Sequence, residues 1–196
     1  MTLFNDNWTF AEASIPEEKM YVNGKPNLLS PADFYDTSKT LPFSPVTIPH
    51  DWMITKAKAL YRNSIGFYKK TFTLTKDDIS SRALFLQFEG VYMNSGIWIN
   101  NQYAGGWKYG YSTFEIDLTP FVKEGANEIL VICVYQNCNT RWYSGAGIFR
   151  DVNLINKPET FIPVDGNYLC AKKEDDQTWT LTIGTEVKKY KNRPSD

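Results

Sequence analysis

The run Ile129-Leu130-Val131-Ile132-Cys133-Val134 restricts the fold of this chain more than any other stretch. A strand that is apolar at every position has no face to give to water. Residues 127–135 are therefore expected to form a central strand, covered on both sides, in a layered β fold. Other segments supply its companions by two-residue alternation. They are Trp8 to Ala13, Gly66 to Leu74, Ala83 to Phe88, Ser95 to Asn100, Gln102 to Gly106 and Phe114 to Asp117. Asn100-Asn101 predicts a tight hairpin, because Asn tolerates the left-handed backbone such a turn requires. Val46 to Ile48 is a short strand stopped by Pro49.

Local stop and start signals fill in the rest. Ser30-Pro31-Ala32-Asp33 has an N-cap followed by proline in the first turn, which predicts a short helix. Thr75 caps a second short turn. Thr119 to Gly125 reads as a third, with Thr119 as cap and Gly125 as stop. Arg141-Trp142-Tyr143-Ser144-Gly145-Ala146-Gly147-Ile148-Phe149-Arg150-Asp151-Val152 joins an aromatic, Arg-bearing loop to a final strand ending near Asn156. Its glycines permit positive φ or close backbone approach, so the loop can be held in one shape and present groups outward. The total is roughly eight strands, the number a jelly roll uses.

Lys157-Pro158 marks a boundary. Beyond it, Thr178 to Ile183 alternates regularly, yet residues 158–196 are too few to close a sandwich or bury an apolar face alone. The expected organisation is one domain over 1–157 and the opening strands of a truncated second sandwich over 158–196.

Composition removes several function classes. The net charge of the 196 residues is -1, with acidic and basic side chains interspersed. Neither nucleic-acid nor membrane-surface binding is indicated. Three cysteines without a closely spaced motif fit a reducing compartment. The first residues lack the basic and apolar segments of a signal peptide, so the cytoplasm is the expected location. Aromatic residues reach 15%, which suits a β-sandwich core and equally a carbohydrate-handling surface.

The inventory for catalysis is short. His50, the one histidine, is expected to hydrogen-bond locally in the turn after Pro49 while Trp52 packs. It has no G-x-S-x-G partner for a triad, and Cys133 and Cys138 have no nearby ligands for zinc. No P-loop or dinucleotide fingerprint occurs. Glu89, Glu115 and Glu124 read as solvated turn or surface carboxylates. No cofactor is expected for these residues.

Four ordered segments resemble the N-terminal domain of glycoside hydrolase family 2, the β-galactosidase and β-glucuronidase group. They are Val46-Thr47-Ile48-Pro49-His50-Asp51-Trp52, Gly66-Phe67-Tyr68-Lys69-Lys70-Thr71-Phe72, the run from Phe88 to Val134, and Arg141 to Val152. The third contains Gly90-Val91, Trp98-Ile99-Asn100-Asn101 and Phe114-Glu115-Ile116-Asp117-Leu118-Thr119 at the family's spacing. The resemblance implies an all-β fold, a jelly-roll, galactose-binding-like β-sandwich followed by the start of an immunoglobulin-like sandwich. It also implies a TIM-barrel domain further downstream carrying the two glutamates of a retaining β-glycosidase, about 5 Å apart. These 196 residues contain no barrel motif and no assignable catalytic carboxylate.

In the resembling enzymes, loops of this domain reach over the barrel and donate polar groups to the sugar just before the Trp of the closing motif. Here Asn137, Asn139 and Arg141 occupy that place. The β-galactosidase form has an Asp before the Trp, so this departure leaves both galactoside and glucuronide open. Asn139, Arg141, Trp142, Tyr143 and Asn63 are the candidate substrate-binding residues, since amide and guanidinium groups suit hydroxyls and rings offer a face to a pyranose. The expected partners are the immunoglobulin-like and barrel domains and a β-galactoside or other β-glycoside. Two other readings remain: an autonomous carbohydrate-binding module with Trp107, Tyr109, Tyr111, Trp142 and Tyr143 as an exposed platform, and a structural domain whose aromatic loops are interfaces.

Overall fold

A computed structural model describes residues 1–54, 62–80, 83–136 and 144–190. The sandwich strands are β1 (Thr2–Leu3), β2 (Trp8–Ser14), β3 (Ser44–Val46), β4 (Ser64–Leu74) and β5 (Ala83–Phe88). They continue as β6 (Ser95–Ile99), β7 (Gln102–Trp107), β8 (Phe114–Asp117), β9 (Gly125–Tyr135) and β10 (Val152–Lys157). Two antiparallel sheets face each other, a four-stranded one in the order β1-β10-β5-β8 and a six-stranded one in the order β7-β6-β9-β4-β2-β3. This is the jelly-roll type of sandwich that the sequence predicts. The short edge strand β1 adds to the expected set, and β3 lies two residues before the predicted 46–48.

The apolar run sits where it was expected, in β9 between β4 and β6. Its alternation is divided between two cores. Ile129, Val131, Cys133 and Tyr135 enter the space between the sheets together with Trp8, Tyr68, Phe88 and Ile97. Leu130, Ile132 and Val134 point the other way and join Ile65, Phe67 and Trp98. The irregular segment that follows β2 covers this outer face with Ile15, Leu29 and Phe34. Two 3-10 turns, Pro31–Phe34 and Asp36–Lys39, hold that cover in place. The first has the predicted Ser30 cap, whose side chain accepts from Ala32 N while Asp33 accepts from Ser30 N. A strand apolar on both faces thus has a sheet beneath it and a strap above it.

Two local expectations are corrected. The turn after β8 is closed by the Leu118 carbonyl, which accepts from Phe121 N at 2.9 Å and Val122 N at 3.1 Å. Asp117, not Thr119, caps it by accepting Thr119 N, and the Thr119 hydroxyl instead accepts from Leu84 N across the sheet. Gly125 opens β9 with φ +86° rather than stopping a helix. Glu115 is not a solvated carboxylate: its side chain is 10% exposed and ion-paired with Lys157. The alternation of β8 turns Glu115 away from the inter-sheet core, yet the residues beyond β10 roof it over.

Beyond β10 come β11 (Thr160–Phe161), β12 (Asn167–Lys173), β13 (Trp179–Thr185) and β14 (Lys188–Lys189), of which β11 and β14, with Pro163 to Asp165, form the roof. Phe161 packs edge-on against Phe85, with the Lys157 ammonium 4.5 Å and 4.9 Å from the two ring centroids. Tyr190 donates to Asp117 at 2.9 Å. The β12–β13 hairpin is amphipathic in register, with Leu169 opposite Ile183 and Ala171 opposite Leu181. Its apolar residues Leu169, Trp179, Leu181 and Ile183 are all about 60% exposed.

Candidate functional site

Two of the motifs singled out in the sequence come together at one end of the sandwich. The segment after Pro49 runs beside the chain after Ser144, with His50 N donating to Ile148 O at 2.8 Å and Trp52 N to Ala146 O at 3.0 Å. Asp51 fastens the pair, since its Oδ1 accepts from Met53 N at 2.8 Å and Ala146 N at 3.0 Å. The closeness explains the glycines. A Cβ at Gly145 would overlap the Asp51 carboxylate, and one at Gly147, where φ is +130°, would overlap the His50 carbonyl and lie 2.5 Å from the Tyr68 hydroxyl.

Trp52 completes the clamp. Its ring is 2% exposed, stacks on Phe10 at 5.5 Å and fills the space a side chain at Gly66 would need. Its indole N–H donates to Ser64 Oγ at 3.0 Å, which satisfies the one polar atom it buries. Ser144, buried, donates to Tyr92 Oη at 3.0 Å. Ser144, which follows residues 137–143 in sequence, is therefore tied to the segment between β5 and β6.

His50 belongs to this clamp, but not through a bond within its own turn. Its Nδ1 lies 2.8 Å from the Tyr68 hydroxyl, across from β4. Burial pushes the Tyr68 phenol well above its ordinary range, and burial likewise pushes the Cys133 thiol up, so both keep their protons. A protonated Tyr68 suits a neutral imidazole acceptor. Burial lowers the His50 pKa and the Asp51 carboxylate only partly opposes this. Because the folded chain then binds a proton less readily than the unfolded one, stability is complete above the unfolded value of about 6.5 and falls as pH drops below it. Urea midpoints at pH 7.5 and 5.5 should differ more in the native chain than in His50→Gln, and equal differences would remove His50 as the cause.

Of the candidate binding residues, Asn139, Arg141, Trp142 and Tyr143, with Asn137, lie outside the described residues. Asn63 is described and half-buried, its Nδ2 2.9 Å from Met20 Sδ. Ser64 pairs with Tyr135, so Asn63 enters β4 at the end where β9 leaves for the closing loop. The proposed aromatic platform is not flat: Tyr109 and Tyr111 meet edge to face at 66°, and Tyr111 leans on Phe149 and Tyr92. Among the described residues no group of three His, Cys, Asp or Glu side chains gathers as metal ligands would. Nor is any described helix long and apolar enough to cross a membrane.

Sequence reasoning missed Asp51, Tyr68, Tyr92 and Ser144 as parts of one clamp. The signal available was Asp51 beside the one histidine and the unusually close Gly145 and Gly147, but the pairing of segments nearly a hundred residues apart is a long-range contact.

Comparison with known proteins matches residues 4–158 to the family model for "Glycosyl hydrolases family 2, sugar binding domain". A β-galactosidase of Bacteroides ovatus is 34% identical over 153 residues, which cover 71% of this chain and 18% of that protein. The crystal structure of a β-glycosidase from Bacteroides vulgatus superposes with a TM-score of 0.69 at 27% identity, over 98% of this chain and 24% of that one. A Bacteroides uniformis β-glucuronidase shares the fold, with a TM-score of 0.69 at 22% identity over 96% of this chain and 22% of its own. The chain thus spans less than a fifth of the length of the curated relative.

Proposed function

The chain belongs to the sugar binding domain family of glycosyl hydrolases family 2, and from that premise we propose that it is the non-catalytic N-terminal domain of a β-galactosidase-like retaining glycosidase. Its closing loop shapes the substrate pocket while the sandwich braces a catalytic barrel that follows. The observation that carries this reading is the clamp of His50, Asp51 and Trp52 on the 144–148 segment. So much hydrogen bonding on the 144–148 segment is useful if the residues before it must hold a fixed position toward something outside the sandwich.

On this reading Arg141 and Asn139 contact sugar hydroxyls, Trp142 or Tyr143 offers a ring face, and Asn63 supports them from the adjoining strand. The substrate is a β-galactoside or a related β-glycoside; relatives of both galactosidase and "Putative beta-glucuronidase" name support the class rather than one sugar. Residues 158–196 open an immunoglobulin-like sandwich, which the bare apolar face of the β12–β13 hairpin and the greater length of the relatives support. The domain works without a metal or cofactor of its own. The free thiols of Cys133 and Cys170 support a reducing, cytoplasmic setting.

Kinetics of Arg141→Ala in the enzyme carrying its barrel test the proposal. Loss of a charged hydrogen bond to substrate of about 1.5–3 kcal/mol should lower kcat/KM roughly ten- to a hundredfold. An unchanged kcat/KM on galactoside and glucuronide substrates alike sinks the closing loop as a substrate contact.

A further inference from the structure

Trp107 belongs neither to the clamp of His50, Asp51 and Trp52 nor to the ring contacts of Tyr111. It ends a column of parallel rings that begins in the core: Phe88 stacks on Phe114 at 5.1 Å and 16°, and Phe114 on Trp107 at 5.7 Å and 12°. Phe88 is fully buried, Phe114 is 4% exposed and Trp107 is 41% exposed. Its indole N–H donates to Ser112 Oγ at 2.7 Å. The ring is therefore fixed both in plane and in rotation, with one face against Phe114 and the remainder open.

Two clefts include Trp107 in their lining. One, about 590 Å³, lies between the outer face of β8 and the roof formed by Phe161, residues 163–165 and residues 188–190; the other, about 320 Å³, runs toward Gln136. Both volumes are of the order a small ligand requires. Their walls are mixed rather than apolar. Thr113 and Asp165 border the first, while Tyr103, Lys108, Asn94 and Gln136 border the second. The amide nitrogens of Asn94 and Gln136 are spent on the carbonyls of Leu29 and Asn27, which leaves their oxygens as acceptors.

An immobilised ring beside hydroxyl, carboxylate, amide and ammonium groups matches a pyranose, which has a C–H face and a rim of hydroxyls. A purely apolar ligand would leave those polar groups desolvated without partners. We propose that Trp107 is the stacking platform of a second glycan-contact site, which takes a β-linked oligosaccharide along the cleft beside β8. The site accepts a chain of sugars rather than one residue, because a cleft of about 590 Å³ has room for more than one pyranose. It deepens the sugar-binding reading but does not depend on the closing loop.

The test follows the indole N–H resonances of the six tryptophans by NMR in the whole 196-residue chain, titrated separately with lactose and with a β-1,4-linked glucotetraose. Trp107→Phe, which keeps a ring on the stack, assigns the Trp107 signal. We expect that signal to shift and saturate, more readily with the tetrasaccharide, and to do so equally in Trp142→Ala. A Trp107 signal that stays fixed at about 50 mM of either sugar, above the millimolar affinity that one ring and a few hydrogen bonds support, overturns the site. A shift that disappears in Trp142→Ala also overturns it, and places the sugar at the closing loop instead.

Discussion

Gly147→Ala should be among the most damaging single-methyl additions to this chain, costing about 2–6 kcal/mol through the sum of backbone strain and overpacking. The two contributions are separable here because a second glycine supplies one without the other. Gly125 has φ +86° with nothing within 4 Å of an added Cβ, whereas Gly147 has φ +130° with the His50 carbonyl and Tyr68 hydroxyl already in that space. Gly125→Ala should therefore cost only about 1–3 kcal/mol, from conformation alone. Urea denaturation followed by tryptophan fluorescence measures both, provided the slope stays constant between variants. A domain with only about 5–15 kcal/mol to lose would be left marginal by the first change and folded after the second. Equal losses would mean that the wall around Gly147 yields, and that the clamp is not the rigid root described above.

The sandwich was legible in the sequence because its signals are local. The alternation of Phe114 to Asp117, the Asn100-Asn101 hairpin with φ +49° and +68°, and the Ser30 cap before Pro31 each involve a few adjacent residues. The doubly apolar stretch at Ile129 to Val134 predicted two covers, and the structure supplies both. What covers the outer face was not legible, since residues 15–43 have little periodicity and are ordered by the sheet they lie on. Glu115 was misread for a related reason: the alternation places it off the core face, and only the fold of 158–190 roofs it. His50 was read correctly as structural but given the wrong partner, because Tyr68 is a strand away. The clamp itself required Asp51 to meet Ala146, a pairing no local pattern encodes.

Asp51 is where that unread pairing should show the largest functional effect. One carboxylate oxygen accepts two backbone N–H groups, those of Met53 and Ala146, and bonds to a charged acceptor contribute about 1.5–3 kcal/mol each. Asp51→Ala removes both and leaves the Ala146 amide, in a buried residue, without its acceptor; the expected loss is about 3–5 kcal/mol. Asp51→Asn retains a carbonyl oxygen at the same place and should lose about 1–2 kcal/mol, the difference between charged and neutral bonds. Hydrogen exchange locates the effect: the Ala146 and Met53 amides should exchange much faster in Asp51→Ala, while amides in the middle of β9 follow only the global stability. If the clamp positions the closing loop for substrate, kcat/KM of the enzyme carrying its barrel should fall in Asp51→Ala and largely recover in Asp51→Asn. Ala146 protection unchanged in the alanine variant would show that the backbone pairing with Trp52 suffices, and Asp51 would then be a bystander at the root of the loop.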